Sequence, residues 1–184
     1  MPVVAERSAT IEDLYRVPDH GKAEIVNGEL RLMSPTGYMP GRAGGAIYLS
    51  LRLYERKVPG HAIPDNVGFK VNLPNRQSFS PDVAFYTDKP TGMKFLESAP
   101  AFAVEIRSEN DYGPQAEREM AATRADYFAA GTQVVWDVDL LSEEVVRVYR
   151  ASDPDQPTLY RRGDVAEAEP AVPGWSMPVA DLFD

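Results

Sequence analysis

Hydrophobic and polar positions alternate along the chain in two distinct rhythms. The stretch "AEIVNGELRLM", Ala23 to Met33, alternates around Asn27-Gly28, the strongest short hairpin signal, and predicts two strands joined by a tight turn. "VGFKVNL", "SPDVAFY" and "FAVEIR" follow as strands between Pro- and Gly-bearing turns, and "TQVVWDV" and "EVVRVYR" form a later pair, with "TLYRRG" as a possible addition. The helical rhythm appears three times. "SATIEDLYRVPD" reads as a short capped helix, with Ser8 or Thr10 as the cap, Glu12 and Asp13 in the first turn and Pro18 as the stop. Ala43, Ala46, Ile47, Leu51 and Tyr54 recur at helical spacing between Pro40 and Lys57, and a third helix runs from Pro114 to Ala130 with Gly131 ending it. Residues 166–178 read as a loop, closed by a helical turn at "VADLF".

This order predicts an α/β fold: a mixed sheet with helices packed on it, in one domain over residues 1–184 whose segment 166–184 is a tail on the core. The succession of "FAVEIR", helix and "TQVVWDV" has the form of a crossover unit, so those two strands are expected to lie parallel. On the third helix, Ala116, Met120, Thr123, Tyr127 and Ala130 form the stripe that faces the sheet. Trp175 and Phe183 are expected to pin the tail.

Composition narrows the chemistry. Hydrophobic residues make up 43% and charged residues 26%, as in a soluble globular protein. No stretch reaches the roughly 18 apolar residues of a membrane span, and the opening "MPVVAERSATIEDLY" lacks a secretory pattern, so the expected location is the cytoplasm. There is no cysteine, and His20 and His61 are too few for a histidine zinc site. Any metal would be held by oxygens, which suit magnesium, manganese or calcium. The net charge of −9 excludes a whole-surface grip on nucleic acid and leaves room for a local basic groove, with Arg42, Arg52, Arg56, Lys57 and Lys70 as candidate contributors.

Two acids interrupt the strand pattern. Asp82 sits at the start of "DVAFY", and alternation puts Glu105 on one face of "FAVEIR" with Ala103 and Arg107, opposite Val104 and Ile106. A buried carboxylate is costly without compensation. A divalent ion shared by Asp82 and Glu105 would supply it; the alternative is that Asp82 caps a strand and Glu105 pairs with Arg107 or another base. "GRAGG", Gly41 to Gly45, lacks the ending of a phosphate loop and reads as close helix packing. Asp137 and Asp139 alternate with Val134, Trp136 and Val138; they could extend an acidic site, and read first as the polar face and turn of a half-buried strand.

"SPDVAFY", "APAFAVEIRSEND", the helix end "ADYFAAG" and the strand "TQVVWDVD", in that order after the hairpin "AEIVNGELRLMSP", resemble the Uma-two group, a branch of the PD-(D/E)XK nuclease superfamily. The resemblance covers Ile25 to Arg150 and implies a restriction-endonuclease-like core with a curved mixed sheet. It further implies magnesium- or manganese-dependent cleavage of DNA, with Asp82 and Glu105 as metal ligands, the carbonyl of Ile106 as a third, and Glu24 near the same ion. A homodimer would suit the cutting of two strands.

The chain departs from the group at the lysine that completes such a site. The strand position is Arg107, and the helix position four residues before Tyr127 is Thr123. Arg107 and Arg124 are the candidate substitutes, although arginine does not replace lysine in moving protons. Where the group often has a histidine, the chain has Pro40-Gly41-Arg42. Two alternatives to an active nuclease are open: a binding or regulatory protein that keeps the scaffold, and a sugar hydrolase using a carboxylate pair without a metal.

Overall fold

Asn27 and Gly28 both take positive φ, 53° and 77°, as a two-residue hairpin turn of the primed type requires. They fold β1 (Ala23–Val26) against β2 (Glu29–Leu32). β4 (Phe69–Leu73) and β5 (Arg76–Phe79) extend this hairpin into a four-stranded sheet ordered β2-β1-β5-β4. The computed structural model describes residues 7–18 and 21–184. His20 and the first six residues of the opening "MPVVAERSATIEDLY" lie outside that range.

A second sheet of six strands carries the center of the fold. Its order is β10-β9-β8-β7-β6-β3. The strands are β3 (His61–Ile63), β6 (Val83–Tyr86), β7 (Phe102–Ile106), β8 (Val134–Val138), β9 (Val146–Arg150) and β10 (Asp153–Tyr160). β6 and β7 are antiparallel, whereas β7 and β8 are parallel and joined through α3 (Pro114–Ala129), the expected crossover unit. The result is a mixed α/β fold with a mixed sheet flanked by helices.

Alternation divides this sheet into two faces. Val83, Phe85, Phe102, Val104, Ile106, Val134, Trp136 and Val138 pack on α2 (Tyr38–Tyr54) and on the C-terminal segment. Ala84, Tyr86, Ala103 and Val135 pack on the other face against Tyr127 of α3 and against Phe69 and Phe79 of the four-stranded sheet. Gly44 faces the sheet: a Cβ there would make ordinary contact, 3.4 Å from Cδ1 of Ile106 and 3.8 Å from Cγ2 of Val83. The "GRAGG" stretch lies within α2 with Ala43 buried against the sheet, while Gly45 has open space around it.

Short elements depart from the sequence pattern. α1 is confined to Ile11–Tyr15, where the Asp13 carboxylate accepts hydrogen bonds from the Thr10 amide at 2.7 Å and hydroxyl at 2.8 Å. β3 and β5 were not expected, and residues 166–178 are not a plain loop. β11 (Val165–Glu167) pairs antiparallel with β12 (Ser176–Pro178), followed by a 3-10 turn at Val179–Phe183. Strands this brief present no period to read. Trp175 does pin this segment, with its ring 5.2 Å from that of Trp136 and its Nε1–H donating to Ser50 Oγ at 3.0 Å. Among the described residues, no helix is long and apolar enough to cross a membrane.

Candidate active site

A row of three acids crosses the α3-facing side of the six-stranded sheet. The register Val83↔Val104 sets Asp82 opposite Glu105, and β7–β8 pairing sets Glu105 beside Asp137. All three line one cavity of about 640 Å³, walled by β7, β8, α3, the segments before β1, after β2, after β3 and before β6, and the turn after β7. Alternation alone thus puts their side chains on the face that α3 partly covers.

The acids are compensated very differently. Asp82 Oδ2 accepts the Ile106 amide at 2.7 Å and Oδ1 accepts Lys22 Nζ at 3.1 Å. Burial still pushes the Asp82 carboxyl above its usual range, with Lys22 and the Ile106 amide offsetting only part of the rise. Glu105 Oε1 accepts the Tyr127 hydroxyl at 2.6 Å. Burial, then the charges of Asp82 and Glu24, push the Glu105 carboxyl well above the usual carboxylate range. Burial and the Glu105 charge likewise drive the Tyr127 hydroxyl well up, so it remains a donor. Asp137, in contrast, meets a guanidinium in a fork: Arg107 Nε at 2.9 Å and Nη2 at 2.7 Å.

Arg107 is therefore unavailable as the missing cation. It lines the cavity, but its charge is held by Asp137 and by Glu117 on α3. It does not pair with Glu105, so the base that brings a favourable charge to that carboxylate is Lys22, without a hydrogen bond to it. Thr123 and Met120 face the cavity as the helix stripe predicts. Arg124 faces it as well, stacked over the Tyr149 ring with Cζ 4.0 Å from the centroid, and its Nη1 lies 3.7 Å from Asp137.

Glu24 is near enough for its charge to act on Glu105, but its oxygens are engaged. Its Oε2 accepts Arg76 Nη1 at 2.6 Å and its Oε1 accepts the Ser80 amide at 2.7 Å, so both oxygens are engaged away from the cavity wall. Arg76 also donates to Asp126 at 2.8 Å, and its Nη2 lies 3.4 Å from the Thr123 hydroxyl. Glu24, Arg76 and Asp126 thereby tie β1, β5 and α3 together beside the site.

Lys22 is the site residue that sequence reasoning missed. It precedes β1, lines the cavity, and donates to Asp82 and to Asp65, the latter at 2.6 Å. Burial opposes its charge, but Asp82, Glu105 and Asp65 outweigh that cost and raise its pKa above the ordinary lysine range. Lys22 shares the alternation phase of Glu24, the signal by which it could have been found. Of the basic residues suggested for a groove, Arg42, Arg52, Arg56, Lys57 and Lys70 all lie off the cavity wall. Arg52 is paired with Glu55 and Lys70 with Glu97.

The donor set suits a hard cation. Among the cavity-lining residues, Asp65, Asp82, Glu105, Asp111 and Asp137 outnumber Lys22, Arg107 and Arg124, so a phosphodiester would meet net negative charge there. Among the described residues, no three acidic or histidine side chains are gathered closely enough to hold a metal by themselves. Asp82 and Glu105 would thus supply two protein oxygens, with other ligands coming from backbone, water or substrate.

Comparison with known proteins places this geometry in a family. Uma2, described as "Putative restriction endonuclease", matches residues 10–180. The chain belongs to the Uma2 family. A solved structure of "a putative nuclease belonging to DUF820" from Anabaena variabilis aligns with a TM-score of 0.73 at 16% identity, covering 95% of this chain and 97% of that one. That likeness establishes a shared fold of restriction-endonuclease type. Among curated proteins, none matches the chain. Family and fold together indicate a nuclease of restriction-endonuclease type.

Proposed function

We propose that this Uma2 member is a magnesium- or manganese-dependent endonuclease that hydrolyses DNA phosphodiester bonds. The observation that carries the reading is Glu105: a cavity-lining carboxylate facing Asp82, held by one tyrosine hydroxyl and pushed well above its usual pKa. A plain structural acid would have a cationic partner, as Asp137 does in Arg107. Asp82 and Glu105 would hold the ion, with the Ile106 carbonyl as a further ligand. Glu24 acts at one remove, as the counterion of Arg76.

The chemistry the ion would supply there is polarisation of a phosphate oxygen and a lowered pKa for water. The chain's own groups prepare the site. The Ile106 amide orients Asp82, the Tyr127 hydroxyl orients Glu105, and α3 covers one side of the cavity and limits access of bulk water. The reading takes residues 1–184 as one domain in the cytoplasm. It also takes the active form to be a homodimer, for which the exposed Leu49 and Leu53 on α2 offer an apolar contact.

A second reading, a nuclease-fold protein that binds without cutting, is favoured by Thr123 at the expected lysine position. Cleavage of supercoiled and single-stranded DNA separates them. The endonuclease reading expects cutting with magnesium or manganese that stops with a chelator. Binding without cutting supports the second reading, and cutting that survives chelation contradicts both.

A further inference from the structure

We propose that Lys22 is the active-site cation of this chain, delivered by the approach to β1 instead of by α3, and that its ammonium group contacts the scissile phosphate. The inference rests on the nuclease reading above and names the residue that the reading lacks.

The other cations near the site are committed elsewhere. Arg76 is consumed by Glu24 and Asp126 and lies off the cavity wall. Arg107 is held in a fork by the buried Asp137, with the half-exposed Glu117 as a second partner, and Arg124 is stacked on Tyr149 beside Asp137. Among the cationic side chains that line the cavity in the described residues, Lys22 alone donates to Asp82. Its other partner, Asp65, has a side chain 52% exposed, a pairing that solvent competes for and a phosphate can displace. An ammonium group has three donors on a flexible stem, so Lys22 can keep Asp82 and still meet a phosphate oxygen.

Thr123 belongs to the same arrangement. With Arg76 Nη2 3.4 Å from the Thr123 hydroxyl, a lysine there would set a second positive charge beside a buried guanidinium. The cation leaves α3 where Arg76 has taken the neighbouring space, and enters from the opposite wall. During hydrolysis the water oxygen forms the new P–O bond and the bond to the leaving sugar oxygen breaks. The proton lost by water and the proton gained by the leaving oxygen exchange with solvent. Lys22 contributes charge and releases no proton.

The test compares the full-length parent with Lys22→Gln, Lys22→Arg, Thr123→Lys and Asp82→Ala. Binding of a labelled oligonucleotide is first measured in chelator across a range of salt. Lys22→Gln should weaken it and reduce the slope of log affinity against log salt by about one, whereas Lys22→Arg should keep the slope. Magnesium-dependent turnover should then fall about 100-fold in Lys22→Gln, recover in part in Lys22→Arg, and not rise in Thr123→Lys. Equal thermal midpoints for Lys22→Gln and Lys22→Arg would exclude misfolding as the cause. Unchanged salt slope and turnover in Lys22→Gln, with Asp82→Ala inactive, overturn the proposal and leave the nuclease reading standing. A parent that does not cleave overturns both.

Discussion

Replacing Glu105 by glutamine should cost about 10³-fold in metal-dependent DNA cleavage while leaving the fold as stable as before or more so. The two effects have one origin. Glu105 faces the Asp82 charge, has Glu24 nearby, and receives a single hydroxyl hydrogen bond. The glutamine carbonyl can still accept from Tyr127, but the like-charge repulsion is gone. If Glu105 were a structural ion-pair member, the same substitution would destabilise the protein.

The pH dependence of unfolding in chelator sharpens this expectation. The groups facing Glu105 are Asp82, Glu24, Lys22 and Tyr127, and the folded-state pKa lies well above the ordinary 4.5. Between those two values the folded chain holds a proton that the unfolded chain has released. The stabilising contribution is complete below the ordinary value and disappears as pH rises through the folded-state value. Denaturant midpoints of the parent should therefore decline across that interval relative to those of Glu105→Gln.

Arg76→Met should have the largest effect on stability, about 3–5 kcal/mol by urea unfolding. Arg76 has 3% of its side chain exposed and bridges Glu24 on β1 and Asp126 on α3, with its guanidinium 4.7 Å from the center of the Phe79 ring. Methionine fills much of the space but strands two carboxylates. Adding Glu24→Gln and Asp126→Asn should recover much of the loss, because the cost lies in the unpaired charges. Asp126 immediately precedes Tyr127, so Arg76→Met should also loosen the hydroxyl that holds Glu105 and reduce cleavage. A loss that the added substitutions leave untouched would mean that packing, not charge, makes Arg76 important.

The legible part of this protein is what local periodicity encodes. Asn27-Gly28 marked the hairpin, Pro114 and Gly131 marked the ends of α3, and alternation in "FAVEIR" put Glu105 on the face toward α3 with Val104 and Ile106 opposite. The separation of Asp82 and Glu105 by a long loop suited the antiparallel pairing of β6 with β7. Side-chain partnerships across distant elements left no such mark. Glu24 meets Arg76 across β1 and β5, Arg107 meets Asp137 across β7 and β8, and Lys22 meets Asp82 where the two sheets approach, pairings that sequence spacing does not record. Arg107 looked free because it follows Glu105 by two residues, yet the parallel pairing of β7 with β8 offered it a better partner. The β11–β12 pair escaped for a simpler reason, since three residues cannot display a period of two convincingly.

The central claim, that the acids facing each other across β6 and β7 form a hydrolytic center, is tested most directly by single-turnover DNA cleavage in manganese by the parent and by Asp82→Ala, purified side by side. Asp82 loses its contacts to Lys22 and the Ile106 amide in the variant, and with them its two oxygens at the cavity wall. The account predicts manganese-dependent cleavage by the parent and a rate about 10³-fold lower in Asp82→Ala. Equal rates in the two proteins would contradict it.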